Sequence, residues 1–469
     1  MKKLALLAIS VLLASMAAAC PPPTPKIVER TVVVTKEVPV EVTVEVPVEV
    51  TVPVVVTPTP APPVEISVWF TPRGTVQEYT LMMIKLFEAR NPGIKIKYEP
   101  VPNMLEKVRA AIAAEELPDF IYIDENAALE ILDYLKPMPE WVMTEDEIRT
   151  RFGDFIADFY KAGGFEGKYY ILPYGVMAGG ILYYNKDKLE AAGYTKEDIP
   201  KTWPEFIEMA KELTVYDEAG NVVEPGFAIL GQDMYLWDSV LFQKGGCRFV
   251  NSKTIGWNSP EGYEAAKFVM DLFNVHKVDS LVGAPAMEAF GTGKAAFAYV
   301  WSWYIGFLGR KYPLVKFGTA TLPTFTGEPP YGRLSYNLGF AVTATDPARE
   351  EAAWKFLDFL MSDEFIKGWS PLRGSTPTSL ELAKLDLYKT DEWAGVMKAL
   401  EPGNSRTEGP WPEEVQAVIV AMWEAIREGA PIEETMDDAA VRATEILAGT
   451  DHWLLIGKEG FEEIFGIEW

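Results

Sequence analysis

A chain of 469 residues, 48% hydrophobic and 24% charged, is long enough for two or three domains with sizeable cores and too apolar to stay disordered. Its formal charge of −25 repels phosphate backbones, which excludes nucleic acid as a partner; the acidity reads as a solubility device. Two cysteines and two well-separated histidines offer neither a disulfide framework nor metal-ligand spacing, and no metal or other cofactor is expected.

The N-terminus reads as an export and anchoring device. Met1-Lys2-Lys3 is a charged n-region, and residues 4–13 form an apolar run too short to span a bilayer. Ala17-Ala18-Ala19-Cys20 follows and resembles a bacterial lipobox, in which Cys20 becomes the lipidated first residue of the mature chain. Ordinary cleavage after Ala19 is the alternative. On the lipobox reading, residues 1–20 are a lipoprotein signal peptide. The exported protein then sits on the outer face of the cytoplasmic membrane, and Cys247 becomes a small buried hydrophobe.

Residues 21–63 repeat a Val-Glu-Val-Pro/Thr unit. Prolines forbid helix and oppose a central strand, while valines favour extended backbone. The expectation is an extended linker that reaches at most ~140 Å at ~3.3 Å per residue. A self-associating β-ribbon is the competing reading, opposed by the prolines and by Glu41, Glu45 and Glu49.

From residue 64 a regular α/β pattern begins. Strands are predicted over 65–70, 94–98 and 120–123, with helices over 76–90 and 104–116 between them. Such alternation predicts a parallel sheet whose ligands bind beyond the carboxyl ends of the strands. That rule selects Trp69, Phe70 and Arg73 after the first strand and Asp124, Glu125 and Asn126 after the third. The stretch 167–189, GKYYILPYGVMAGGILYYNKDKL, reads as strand, crossing and strand. Pro173 lies between two strand-like runs, so the chain is expected to change sheets there, beside Tyr174. Thr202 with Glu205 reads as a capping box, which makes Trp203, and with it Trp257, structural.

These segments carry a resemblance. "FEARNPGIKIKYE", "LPDFIYID", "GKYYILP…YNKD", "PKTWPEF" and "FGTGKAAFAYVWSW" are similar, in the same order, to segments of the family 1 extracellular solute-binding proteins, the maltose-binding-like receptors of ABC importers. The resemblance covers nearly everything from residue 64 to about 447. It implies an α/β, two-lobed periplasmic-binding-protein-like fold, with a central mixed sheet flanked by helices in each lobe and three interlobe crossings. Residues 64–172 and 321–368 would form the N-lobe, and residues 173–320 and 369–469 the C-lobe. The second and third crossings are expected near 321–323 and 369–371, and residues 334–342 as one returning strand. A carbohydrate, with an oligosaccharide preferred, would be the solute, and ABC permease subunits and the membrane would be the partners of a monomeric body.

By position, Trp303 matches the ligand-stacking tryptophan of that family. Aromatic faces stack on the apolar faces of sugar rings while leaving the hydroxyls to polar partners. Tyr235, Trp237, Tyr336, Asn337, Arg373 and Trp411 complete the candidate binding set. Trp69 and Trp237 read equally well as core, Trp301 reads as core, and exposed salt bridging is the commoner fate of Arg73 and Arg373. Ala178-Gly179-Gly180 places small residues where some relatives of known sugar specificity carry a carboxylate, which leaves a roomier cleft or backbone contacts.

Other classes find less support. No Gly-x-x-x-x-Gly-Lys-Ser/Thr phosphate loop and no Gly-x-Ser-x-Gly elbow occurs, and no motif singles out an acid and nucleophile among 68 acidic residues. A non-enzymatic binding protein is therefore expected. A binding protein for a polyol, peptide or polyamine, a glycoside-acting enzyme and a surface adhesin stand behind it.

Overall fold

The computed structural model describes residues 27–33, 49–55, 62–71, 74–123, 125–154, 157–158, 168–337, 339–449, 457–466 and 468–469. Cys20, Arg73 and Asp124 lie outside the described residues, as do the side chains of Glu125, Asn126, Tyr336 and Asn337. The chain divides into two units, Met1–Pro63 and Val64–Trp469.

In the first unit, Ile27–Val33 pairs antiparallel with Glu49–Val55, with Ile27 opposite Val55 and Val33 opposite Glu49. The stretch expected as an extended spacer therefore doubles back over part of its length, which shortens its reach. Strand preference of the β-branched residues prevails over the prolines for a simple reason. Pro53 lies opposite Glu29 in a ribbon of two strands, each an edge, where a missing N–H costs at most one ladder bond.

The second unit is built on two mixed sheets. In the first, the order is Ile94–Pro100, Val64–Phe70, Phe120–Tyr122, Phe340–Val342 and Ile171–Leu172. The first three strands are parallel, joined through the helices Thr75–Arg90 and Met104–Ala114, as strand–helix alternation predicts. The last two strands return antiparallel. Phe70, Phe120, Tyr122 and Phe340 fill its core, and Trp369 meets Phe70 edge-on at 6.3 Å. The second sheet runs Phe227–Ala228, Phe297–Val300, Ile181–Asn185 and Phe317–Thr321. A second core of Trp203, Phe206, Trp237, Trp257 and Trp423 packs against it.

A short third sheet links the two. Gly332–Asn337 pairs antiparallel with Gly175–Ala178 and parallel with Ser405–Arg406. Alongside, the Thr376 N–H and Oγ1 both donate to the Val176 carbonyl, at 3.1 and 2.9 Å. The chain changes sheets at Pro173, where its position between two strand-like runs predicts it: Ile171–Leu172 belongs to the first sheet and Gly175–Ala178 to the short one.

The other two passages differ from expectation. Thr324 is still tied to Lys201 and to the Trp203 N–H, both at 3.0 Å, so the second passage is made by Gly332–Asn337 and not at 321–323. The single returning strand expected over 334–342 is two strands in different sheets. The break falls by Gly339, where an added Cβ would sit 1.5 Å from the Leu172 carbonyl oxygen, so only glycine admits this approach. The helix Asp363–Arg373 runs through Pro371 and ends at left-handed Gly374 (φ 74°), so the third passage begins after it.

The predicted capping box at Thr202 is also corrected. The Thr202 hydroxyl donates to Glu205 Oε2 (2.6 Å) and caps no backbone N–H. Trp203 and Trp257 are structural as expected, both buried, with their indole N–H groups donated to Gln243 Oε1 (2.7 Å) and the Met436 carbonyl (3.2 Å).

Candidate functional site

The short linking sheet forms one wall of a cavity of about 530 Å³. Side chains alternate across a strand, so Arg333 and Ser335 share a face, and register sets Met177 directly opposite Ser335. All three line the cavity. Gln232 and Tyr235 enter from the start of the helix Asp233–Gln243, and Gln416 from the first turn of Glu413–Arg427. The remaining lining is mostly aromatic or apolar: Met287, Trp301, Trp303 and Trp411.

Three tryptophans are held in three different ways. Trp301 rests on Gly179, where an added Cβ would lie 3.0 Å from the indole, and it meets Tyr235 edge-on at 5.9 Å. The small residues at Ala178-Gly179-Gly180 thus make room for an indole and not for a wider cleft. Trp303 is half-buried at the N-terminus of the helix Tyr304–Lys311, with its backbone against Gly374. Trp411 stands between two guanidiniums, 4.0 Å from Arg248 and 4.4 Å from Arg333, and donates its indole N–H to Gln416 Oε1 (2.9 Å).

Behind this wall lies a buried charge network. Asp238 accepts from Arg248 at 2.8 Å and lies 3.5 Å from an Arg333 nitrogen; Asp238 and Arg248 are essentially inaccessible, and Arg333 is buried with an edge on the cavity. Glu408 spends one oxygen on the backbone N–H groups of Arg248 (2.7 Å) and Phe249 (3.0 Å). Burial pushes its carboxyl up to about 7 against the opposing pull of Arg248. Burial likewise pushes Asp238 up, with Arg248 and Arg333 pulling it back.

A second cavity of about 670 Å³ adjoins the first, sharing Met287 and Trp303. Its other lining residues include Gly74 and Val76 near the first helix, Phe307, and the cations Arg310, Lys311 and Arg373. Trp303 therefore has cavity space in two directions.

Of the residues selected from sequence, Tyr235, Trp303 and Trp411 meet in the first cavity, and Arg373 with Trp303 in the second. Four others are placed elsewhere. Phe70 stacks on Tyr122 (5.2 Å, 14°) inside the first core, and Tyr174 is buried there, accepting the Tyr122 hydroxyl proton at 2.7 Å. Trp69, on the opposite face of the same strand, is 7% exposed beneath Lys107 (4.3 Å) in a separate hollow with Lys97 and Glu99.

Trp237 stacks on Trp423 (5.6 Å) in the second core, its N–H donated to the Gly262 carbonyl (3.2 Å). It follows Tyr235 by two positions, about 200° around the helix, so the two face opposite ways. The backbones of Tyr336 and Asn337 lie in the linking strand opposite Val176 and Gly175. Sequence reasoning missed Met177, Gln232, Met287, Arg333, Ser335 and Gln416; Trp301, for which core was favoured, is buried and also lines the cavity. The period-2 pair Arg333/Ser335 was the available signal.

The arrangement of aromatic faces and a few fixed polar groups suits capture of a ring-bearing solute. Residues 73–365 match the family described as bacterial extracellular solute-binding protein. A Brucella abortus chain named as a binding protein is 27% identical over 403 residues, 80% of this chain and 93% of that one. The maltotriose-binding protein of Pyrococcus abyssi is 23% identical over 70% of this chain and 69% of its own. Among solved structures, the cyclic α-maltosyl-1,6-maltose binding protein from Arthrobacter globiformis superposes with a TM-score of 0.65. It is 23% identical, covering 83% of this chain and all of that one.

Proposed function

Since the chain belongs to the bacterial extracellular solute-binding protein family, we propose that it captures a carbohydrate outside the cell and delivers it to an ABC permease. Cys20 would anchor it to the membrane, and residues 21–63 would carry the body. The observation that carries the sugar reading is the set of aromatic faces at the 530 Å³ cavity, with Tyr235, Trp301, Trp303 and Trp411 beside the hydrogen-bonding groups of Gln232, Ser335 and Gln416. Relatives named for maltotriose and for a cyclic maltosyl sugar support the same class. A polyamine fits poorly, because Arg333 is the one charged group among the described lining residues of that cavity.

Capture would proceed by hinge closure at the three adjacent passages, with the part built on the first five-stranded sheet as one lobe and the part built on the second, four-stranded sheet as the other. A ligand touching both lobes only in the closed form favours that form by its differential affinity. The protein acts as a receptor and performs no chemistry on its solute.

The test is a thermal-shift and calorimetric screen of the full chain against mono-, di- and oligosaccharides, polyols, polyamines and short peptides. A ligand at ~100 times its Kd adds about 2.7 kcal/mol of stability. A shift confined to one sugar class, abolished by Trp303→Ala, is the expected result. A shift with only a peptide or polyamine would overturn the substrate and leave the family standing.

A further inference from the structure

The lining of the two adjoining cavities runs against the composition of the chain. Acidic residues outnumber basic ones 68 to 43. Yet the described lining residues include Arg333 in the first cavity and Arg310, Lys311 and Arg373 in the second, and no aspartate or glutamate among those described. A site tuned to neutral hydroxyls would be expected to use carboxylates as bidentate acceptors. Here the charged lining is cationic.

Arg333, the charged residue among the described lining residues of the first cavity, has donor capacity to spare. It is 5% exposed, and its Nε finds no partner within the protein. Its nearest carboxylate, Asp238, lies 3.5 Å away and is already engaged by Arg248 at 2.8 Å. Glu408, the other carboxylate of this network, directs one oxygen to two backbone N–H groups, and burial raises its carboxyl to about 7. Two guanidiniums thus share Asp238 as their nearest carboxylate. The rings of Trp411 (4.4 Å) and Trp301 (5.5 Å) hold the Arg333 guanidinium in place. Two residues along the same strand face, the Ser335 hydroxyl is buried and also without a partner. A preorganised, largely desolvated guanidinium beside a hydroxyl is the chemistry that binds a carboxylate or phosphate group.

We propose that the solute is an acidic carbohydrate, whose carboxylate or phosphate is received by Arg333 and Ser335 while its ring stacks at Trp303 and Tyr235. This rests on the carbohydrate reading above and narrows it. The shared chemistry is an anionic oxygen group on a sugar, and the experiment separates the two sources.

Calorimetric titration of the full chain with D-glucuronate, D-glucose 6-phosphate and D-glucose, and with digalacturonate against its neutral disaccharide, decides the matter. The acidic member of at least one pair is expected to bind on the order of 10- to 100-fold tighter than the neutral one. A gain with glucuronate or digalacturonate identifies carboxylate, and a gain with glucose 6-phosphate identifies phosphate. The acid-to-neutral ratio is expected to collapse toward one in Arg333→Gln. Because that variant removes a buried group, wild-type titrations at low and high salt give an independent reading. The acidic sugar should lose affinity with salt while the neutral sugar does not. Neutral sugars binding as tightly as acidic ones would overturn the acidic specificity and leave the carbohydrate reading intact. Binding of a non-sugar solute with no sugar bound at all would overturn both.

Discussion

In the first core, Phe70, Tyr122, Tyr174, Phe340 and Trp369 enclose one another; Tyr235, Trp301, Trp303 and Trp411 each also border the 530 Å³ cavity. Both groups are aromatic and both draw on distant parts of the chain. In the core, rings stack ring on ring, as Phe70 does on Tyr122, and the Tyr122 hydroxyl donates to that of Tyr174 at 2.7 Å. At the cavity, Trp301 rests on a glycine and meets Tyr235 edge-on, and Trp411 packs against Phe249 and two guanidiniums. Trp303 stays half-buried, and all of them also border the open space. Ring count therefore does not separate a core from a binding surface. What each ring borders does.

The comparison breaks most sharply by truncation. Trp369→Ala, in the closed cluster, should cost about 3–5 kcal/mol of stability, read by urea unfolding, because the indole's neighbours cannot collapse into the space. If its loss costs under about 1 kcal/mol, that cluster is not the core described here.

The wall of the cavity should show a pH signature. The Glu408 carboxyl is raised to about 7 in the fold. Between its ordinary range near 4.5 and about 7, the folded state holds more proton than the unfolded one. Stability contributed by Glu408 is thus fully present below pH 4.5 and lost as pH rises toward 7, by on the order of 1 kcal/mol per pH unit. Glu408→Gln should flatten that part of the curve of Tm against pH. An unchanged slope would mean that another group carries it.

Trp303→Ala provides the reciprocal of the core truncation. For a half-buried ring the stability loss should be about 1–2 kcal/mol, while affinity for the bound sugar falls on the order of 10- to 100-fold in calorimetry. Equal effects of Trp303→Ala and Trp369→Ala on both readouts would erase the distinction. The smallest expected effect is Tyr122→Phe, which removes one buried hydroxyl and the hydrogen bond it donates to Tyr174. About 1–2 kcal/mol of stability should be lost with ligand affinity unchanged.

Much of this contrast was hidden in the sequence for geometric reasons. Trp69 and Phe70 are adjacent, so a strand must send them to opposite faces, yet both faces of a sheet covered by helices are apolar and neither is marked as core. Tyr235 and Trp237 pose the same problem on a helix, where two positions turn the side chain to the far side. Arg333 is the clearest omission. A lone arginine in "YGRLSYN" carries no sign that Trp301, Trp411 and Asp238 will converge on it from three other segments. Trp303 was legible because its surroundings resemble a known segment, and Pro173 because a proline between two strand-like runs leaves few alternatives.

By itself, then, the sequence determined the order of strands and helices, the change of sheet at Pro173 and the kinship carried by its collinear segments. These are local properties, set by periodicity, turn chemistry and proline. Only the tertiary structure decided which tryptophans line the cavity, and that an acidic chain turns an arginine toward it. Both depend on contacts between residues as far apart as Gly179 and Trp301, or Arg248 and Trp411. Such contacts exist only once the sheets have assembled and the linking strands have set their register.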